Sequence, residues 1–244
     1  MVKQGELVDL SAARKPEIKR EYIDVVYKML VEEGIENVSA RELGRRMGKS
    51  TAAVYRHFES LDYLIGLASV RYLNPYYDLL VELATDTPNP LDLCLQTWEA
   101  FAYYAFRDIP IFENLFFGPA RGGKFIEEYY EYFPEERARM RRYIEAVVDS
   151  TDLVERGRFL HSRAAEEGYI ALQDVEYLLN IDVLTLRGLF QEYRNRVADD
   201  AMVNEAVSRF SAILYRTYKR ALLPGKDFPD TTNERYANVA LSAL

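Results

Sequence analysis

The chain is poor in the residues that build cross-links and reactive centres. It has one cysteine and two histidines among 244 residues. A lone Cys94 has no partner for an internal disulfide. His57 is part of a pattern described below, and His161 with Glu166 or Glu167 lacks metal-ligand spacing, so His161 is expected at the surface or between helices. No apolar stretch reaches the roughly 18 residues of a membrane span. The opening residues Met1-Val2-Lys3-Gln4-Gly5-Glu6 lack the apolar core of a secretory signal. Together these absences favour the cytoplasm. Alternating β-branched runs are missing too, so no glycine-rich phosphate loop follows a strand. Carboxylates are plentiful, but pairs such as Glu127-Glu128 and Glu135-Glu136 read as solvated helix faces. Nothing here asks for catalysis, a metal or an organic cofactor. The chain also lacks internal repeats and low-complexity tracts.

A positive excess is lacking as well, since the formal net charge is −8. Residues 1–64 hold 11 Lys+Arg and 11 Asp+Glu, so the whole acidic excess lies beyond residue 64. A neutral head can still present a basic face, because binding depends on local clustering. The composition, 49% hydrophobic and 29% charged, is that of a folded globular chain.

What is present is helical periodicity nearly everywhere. Residues 1–13 read as a loose arm. Pro16 suits the first turn of a helix whose stripe is Ile18, Tyr22, Val25, Val26, Met29 and Leu30, and Gly34 suits its end. Ser39 and Glu42 have capping-box spacing, and Val38 and Leu43 flank them as a hydrophobic staple. A short helix therefore runs from about Ser39 to Met47 and stops at Gly48. Ser50 or Thr51 opens a second that ends near Phe58, and Ser60 or Asp62 opens a long one that continues toward Tyr77 and Leu80. Thr87-Pro88-Asn89-Pro90 breaks the chain. Further helices are expected at 91–107, 110–117, 124–132, 134–149, 152–167, 173–197 and 201–222. The fold class is all-α. It divides into an arm (1–15), a three-helix helix-turn-helix DNA-binding domain (16–64), a helical ligand-binding and dimerisation domain (65–225) and a tail (226–244), short docking helix or disordered.

Helix, tight glycine turn and helix across residues 39–58 form a helix-turn-helix pattern. Its second helix suits a major groove. Ser50 and Thr51 offer hydroxyls and backbone N–H groups to phosphate. Ala52 and Ala53 are small enough for close approach to base edges. Tyr55, Arg56 and His57 can reach phosphate, with Arg56 alternatively reading a guanine. Arg45, Arg46 and Lys49 add positive charge near the turn.

The run Gly48-Lys49-Ser50-Thr51-Ala52-Ala53-Val54-Tyr55-Arg56-His57-Phe58, followed at once by a long helix, resembles the signature of the tetracycline-repressor (TetR) family. The helix over 16–33, ending Glu32-Glu33-Gly34, is similar to that family's first helix. The resemblance covers residues 16–70. It implies DNA contacts at Ser50, Thr51, Ala52, Ala53, Tyr55, Arg56 and His57, a palindromic double-stranded operator, a small-molecule effector, and repression as the default mode. Two positions depart from it: Lys49 where the family has an apolar residue, and Leu61 where it has a phosphate-contacting lysine. The alternative is a helical interaction protein of the same fold without specific DNA binding.

Thirteen of the 36 positions from Trp98 to Phe133 are aromatic. Trp98, Phe101, Tyr104, Phe112, Phe116 and Phe117 are the candidates for lining a pocket for an aromatic or apolar effector. An ordinary core with amphipathic tyrosines fits the same residues, and both readings stay open here. Val175, Leu178, Leu179, Leu186, Leu189, Phe190, Tyr193 and Val197 form a stripe on one helix, and Val203, Ala206, Val207, Phe210, Ile213, Leu214, Thr217 and Ala221 form one on the next. These stripes suit a four-helix homodimer interface, or packing within one chain. The long helix from residue 60 would carry ligand binding to the reader.

Overall fold

A computed structural model describes residues 4–87, 89–118, 123–146, 153–230 and 232–233. The expected turn residues Pro88, Pro119 and Gly122 and the tail beyond residue 233 lie outside that set. Among the described residues the chain is helical, with no strand and a single isolated bridge between Ile170 and Leu222. The helices are α1 (Gln4–Glu33), α2 (Ala40–Met47), α3 (Thr51–Val54), α4 (Leu61–Ser69), α5 (Asn74–Asp86), α6 (Pro90–Arg107), α7 (Ile109–Phe117), α8 (Gly123–Tyr132), α9 (Pro134–Ala146), α10 (Leu153–Glu166), α11 (Val175–Tyr193) and α12 (Asp200–Ala221).

They form two compact units. The first joins residues 1–73 to 114–138, and the second joins 74–113 to 139–244. In the first unit, α1 buries Tyr22, Ile23, Val26 and Met29 completely, together with Leu43 of α2, Val54 of α3 and Leu64 of α4. Helix α1 begins at Gln4, so the expected loose arm is continuous with it and Pro16 lies inside the helix. The residues before Pro16 are mostly good helix formers, which lets the turn begin earlier.

The cap signals work as local chemistry requires. Ser39 Oγ accepts the Glu42 N–H at 3.2 Å, and Ser60 Oγ accepts the Tyr63 N–H at 3.0 Å. At the other end of α2, Gly48 adopts φ 63°. Its N–H donates to the Arg45 carbonyl at 3.3 Å, and the Lys49 N–H donates to the Gly44 carbonyl at 2.9 Å. This pair of bonds is a Schellman turn, which favours glycine at its left-handed position.

One expected element divides. The long helix foreseen from residue 60 toward residue 80 is two helices, α4 and α5, separated by a 3₁₀ turn over Val70–Leu73. Pro75 supplies the reason: it has no N–H to donate and its ring crowds the carbonyl four residues back.

The first unit also contains a segment that sequence order places elsewhere. Helix α8 packs on α4, with Phe125 and Tyr63 rings 4.9 Å apart. Gly66 makes this possible, since a Cβ there would lie 3.1 Å from the Phe125 ring. Arg71 fastens the same face. It binds Asp24 of α1 at 2.7 Å, Tyr129 of α8 at 2.9 Å and Glu136 of α9 at 3.1 Å.

The second unit is a helical bundle. Asn89 caps α6 by accepting the Leu91 and Asp92 N–H groups at 3.1 and 3.0 Å. Its Nδ2 donates to the Tyr169 hydroxyl at 2.7 Å. Asp199 caps α12 through the Met202 N–H at 2.8 Å. Of the tail, Phe228 and Thr232 are buried, and Phe228 stacks on Tyr215 at 5.1 Å.

Gly44 gives a direct test. A Cβ there would stand 2.8 Å from the Lys49 carbonyl oxygen, a backbone atom that cannot swing aside. Helix propensity alone favours alanine by about 1 kcal/mol. Gly44→Ala is nevertheless expected to destabilise the protein by about 1–3 kcal/mol, read as a lower denaturant midpoint. A raised midpoint would show that the turn opens without cost.

Candidate nucleic-acid interface and interior polar cluster

The turn at Gly48 sets the start of α3, and Ser50 there has an extended backbone (φ −73°, ψ 152°). Only Thr51–Val54 are α-helical, and Tyr55–His57 continue as turns, so the reader helix is shorter than the sequence pattern suggests. Ser50, Thr51, Ala52, Tyr55 and Arg56 are exposed on one short segment, with Tyr55 53% exposed. Ala53 leaves this set. It is 7% exposed because it faces inward beside fully buried Val54, so its methyl is shielded from any duplex. His57 is half-buried and its ring lies 5.5 Å from the Tyr22 ring.

The positive charges near the turn are mostly engaged by carboxylates. Arg45 is 72% exposed and binds Glu42 through Nε at 2.8 Å. Arg46 bonds Glu32 at 2.6 Å and also Glu33 and Glu42. The two arginines beside Glu42 hold its carboxyl down to about 2. Lys49 binds Glu21 at 2.9 Å and sits 4.9 Å over the Tyr22 ring. The lysine stem thus covers aromatic surface, the task an apolar residue would perform. Arg56 is an exposed cation outside this network.

In the second unit the aromatic candidates part company. Trp98, Phe101 and Phe112 are buried, and Phe101 lies 6.2 Å from Trp98 and 5.5 Å from Phe112. Tyr104 is half-buried and touches Tyr76 at 6.3 Å. Phe116 and Phe117 fall in the stretch 114–138 that belongs to the first unit. The same is true of Phe125, Tyr129, Tyr130 and Phe133.

The second unit also buries a polar cluster that sequence reasoning missed. His161 is fully buried between helices, the second of the two placements expected for it, and Asp182 and Tyr218 are buried with it. His161 Nδ1 lies 2.6 Å from the Gly157 carbonyl and 3.6 Å from Cys94 Sγ. Its Nε2 faces Asp182 Oδ2 at 3.1 Å and the Tyr218 hydroxyl. Tyr218 donates its single proton to Asp182 at 2.6 Å. A carbonyl on one ring nitrogen and a carboxylate on the other leave both nitrogens as donors, which is the imidazolium form. Burial opposes that charge, but Cys94 and Asp182 outweigh it and hold the His161 pKa well above the ordinary value. Burial also lifts the Asp182 carboxyl, while His161 and Tyr218 pull it back. One signal was available: Asp182 interrupts the apolar stripe of α11 between Leu179 and Leu186, and Arg156 and His161 interrupt that of α10 near Leu160 and Ala164. No group of three metal-ligating side chains occurs among the described residues, and no helix searched there is long and apolar enough to cross a membrane.

Against this geometry, residues 23–65 match the family model described as bacterial regulatory proteins, tetR family. The solved structure of RolR in complex with its ligand resorcinol is similar over 84% of this chain and 89% of that one, with a TM-score of 0.55 at 14% identity. PfmR, a TetR family transcriptional regulator from Thermus thermophilus, aligns over 79% of this chain and 96% of its own, with a TM-score of 0.45 at 21% identity. No curated protein matches the chain by sequence. The all-helical fold is thus shared with RolR, and the tetR-family match lies within the first unit.

The histidine cluster sets a pH dependence. A folded pKa raised above the unfolded value of about 6.5 gives stability that is fully present below that pH and lost as pH rises through the folded pKa. The raised Asp182 acts in the same direction. Thermal stability should therefore fall as pH climbs above about 6.5, and His161→Gln should flatten that slope. A wild-type melting temperature that rises over this range would contradict the assignment.

Proposed function

We propose that this chain is a ligand-responsive transcription regulator of the TetR family that reads a palindromic DNA operator as a homodimer, with repression as its default action. The observation that carries the reading is the exposed set Ser50, Thr51, Ala52, Tyr55 and Arg56, presented on one short segment by the Gly48 turn. Hydroxyls and N–H groups at Ser50 and Thr51 suit phosphate, and Ala52 suits close approach to base edges. Arg56 supplies the charge that draws a polyanion, with Arg45 and Lys49 at its flank. Such a regulator works where the chromosome is, in the cytoplasm, and needs no catalytic step.

The dimer reading moves to a different face from the one the apolar stripes suggest. Val175, Leu178, Leu179, Leu186, Leu189, Phe190 and Tyr193 are all at most 5% exposed within a single chain. They are core, as are Val203, Ala206, Phe210 and Leu214. What α11 leaves outward is Tyr177 at 63% and Leu184 at 61%, with Ile181 half-buried between them and Gly188 one turn on with nothing within 4 Å. These positions follow helical spacing. Beside them runs a groove of about 300 Å³, lined by Asp174 just before α11, Tyr177 and Leu178 of α11, and Thr217, Arg220 and Ala221 of α12. A second copy packing its own α11 and α12 here would make a four-helix interface and set two readers about one DNA turn apart.

Sequences selected from random duplexes test the reader. The expected product is a palindrome, bound more weakly as salt rises. Arg56→Ala should flatten the log–log salt slope by about one unit for each phosphate that the guanidinium neutralises, about two for the dimer. A loss confined to one base position would make Arg56 a base reader instead. Absence of any enriched sequence would favour the interaction-protein alternative, which the carboxylate-engaged Arg45, Arg46 and Lys49 make worth testing.

Leu184→Arg tests the dimer. Sedimentation is expected to show a folded monomer that no longer binds the full palindrome. A dimer unchanged by this substitution would place the interface elsewhere.

A further inference from the structure

We infer that Glu21 of α1 is an internal competitor for Lys49, a carboxylate that holds the lysine ammonium off the DNA backbone and so limits how tightly any duplex is bound. The inference rests on the regulator reading, because it adds a restraint to the DNA surface which that reading names.

Lys49 stands between the Gly48 turn and the Ser50–Thr51 pair that suits phosphate. Its backbone is fixed, since its N–H donates to the Gly44 carbonyl at 2.9 Å. Its ammonium lies over the fully buried Tyr22 ring, 4.9 Å from the centroid. There it donates to Glu21, the residue before Tyr22 on α1, at 2.9 Å. The partners are 28 positions apart, so the pair is not a by-product of spacing along one helix. Glu21 makes no other side-chain bond among the described residues.

The pair is open to a third party. The Glu21 side chain is 55% exposed and that of Lys49 33%. A carboxylate and a phosphate offer an ammonium the same thing, an anionic oxygen acceptor. The lysine stem is flexible and its three donors rotate, so the ammonium can turn from one acceptor to the other. Exposed pairs of this kind are weak, so a nearby phosphate is a real rival to the carboxylate. Glu42 holds Arg45 in the same manner, at 2.8 Å, but it also bonds Arg46 at 3.1 Å, so its removal disturbs α2 as well. Glu21 isolates the effect.

The consequence is independent of sequence. Phosphate contacts carry no sequence information, so a freed Lys49 strengthens selected and random duplexes alike. An effector coupling of typically about 5–150-fold empties an operator only when the hold on DNA is moderate, and Glu21 keeps the phosphate part of that hold low.

The experiment measures binding of the full-length protein across a salt series, to the palindrome from the random-duplex selection and to the unselected duplex pool. Glu21→Gln is expected to tighten both by a similar factor at low salt. That factor is about 5-fold for each protomer engaged, or about 1 kcal/mol, the upper end for an exposed pair. The log–log salt slope should steepen by about one unit for each lysine freed. In a Lys49→Met background, where an unbranched stem still covers Tyr22, Glu21→Gln should add nothing. Glu21→Asp keeps the net charge but shortens the reach, and it should give part of the gain. Glu36→Gln removes an exposed carboxylate outside the pair and should leave binding nearly unchanged. If circular dichroism shows that Glu21→Gln fails to fold, Glu21→Asp carries the same comparison. Unchanged affinity and slope in folded Glu21→Gln overturn the inference. So does a gain that persists without Lys49, or an equal gain from Glu36→Gln. The two readings fail differently. A wild-type protein that enriches a palindrome while Glu21→Gln changes nothing loses only this restraint, whereas wild type and variant that both ignore every duplex lose the regulator reading and the restraint with it.

Discussion

The close approach of the Lys49 carbonyl to Gly44 is the constraint on which the reader depends. At 2.8 Å from where a Cβ would stand, the chain after α2 folds back against the helix it has just left. Only a residue without a side chain permits this, and only a left-handed residue at Gly48 turns the chain sharply enough to reach it. The next residues then emerge with Val54 and Ala53 facing the core and Thr51, Ala52, Tyr55 and Arg56 facing outward. The exposed face of a four-residue helix is therefore fixed by two glycines that precede it, with little contribution from the helix's own propensity.

Around that turn the protein neutralises most of its own positive charge. Glu21, Glu32, Glu33 and Glu42 engage Lys49, Arg46 and Arg45. Exposed pairs of this kind contribute little to stability, typically about 0–1 kcal/mol each, but they orient side chains and thin the local field. Under the proposed reading, a surface built this way would rely on placed hydroxyls, backbone N–H groups and the outward Arg56 more than on bulk attraction. That agrees with a first 64 residues whose charges balance.

Much of this was legible in the sequence, and the reasons differ by element. Ser39, Ser60 and Gly48 signal local chemistry that three or four residues decide by themselves, and each acts where the pattern places it. Residues that face the interior because of distant partners were harder to read. The aromatic run from Trp98 to Phe133 is continuous along the chain, while the compact units change at residue 114, and the sequence does not announce that Gly66 opens a seat for Phe125 against α4. The apolar stripes of α11 and α12 have the spacing of an interface, but a helix buried on most sides uses the same spacing for its own core. The break between α4 and α5 was signalled by Pro75 and masked by the apolar run across it. Asp182 and Arg156 were visible as charges at core positions, although nothing in one sequence shows that His161 would meet the first and Tyr77 the second.

The central claim is that the segment released by the Gly48 turn is the surface that meets a duplex. Amide hydrogen exchange across the whole chain, with and without a saturating selected duplex at low ionic strength, tests it most directly. The account predicts new protection concentrated in residues 45–57, with the face of α11 unchanged. Protection that appears elsewhere while residues 50–57 exchange as in the free protein would contradict it.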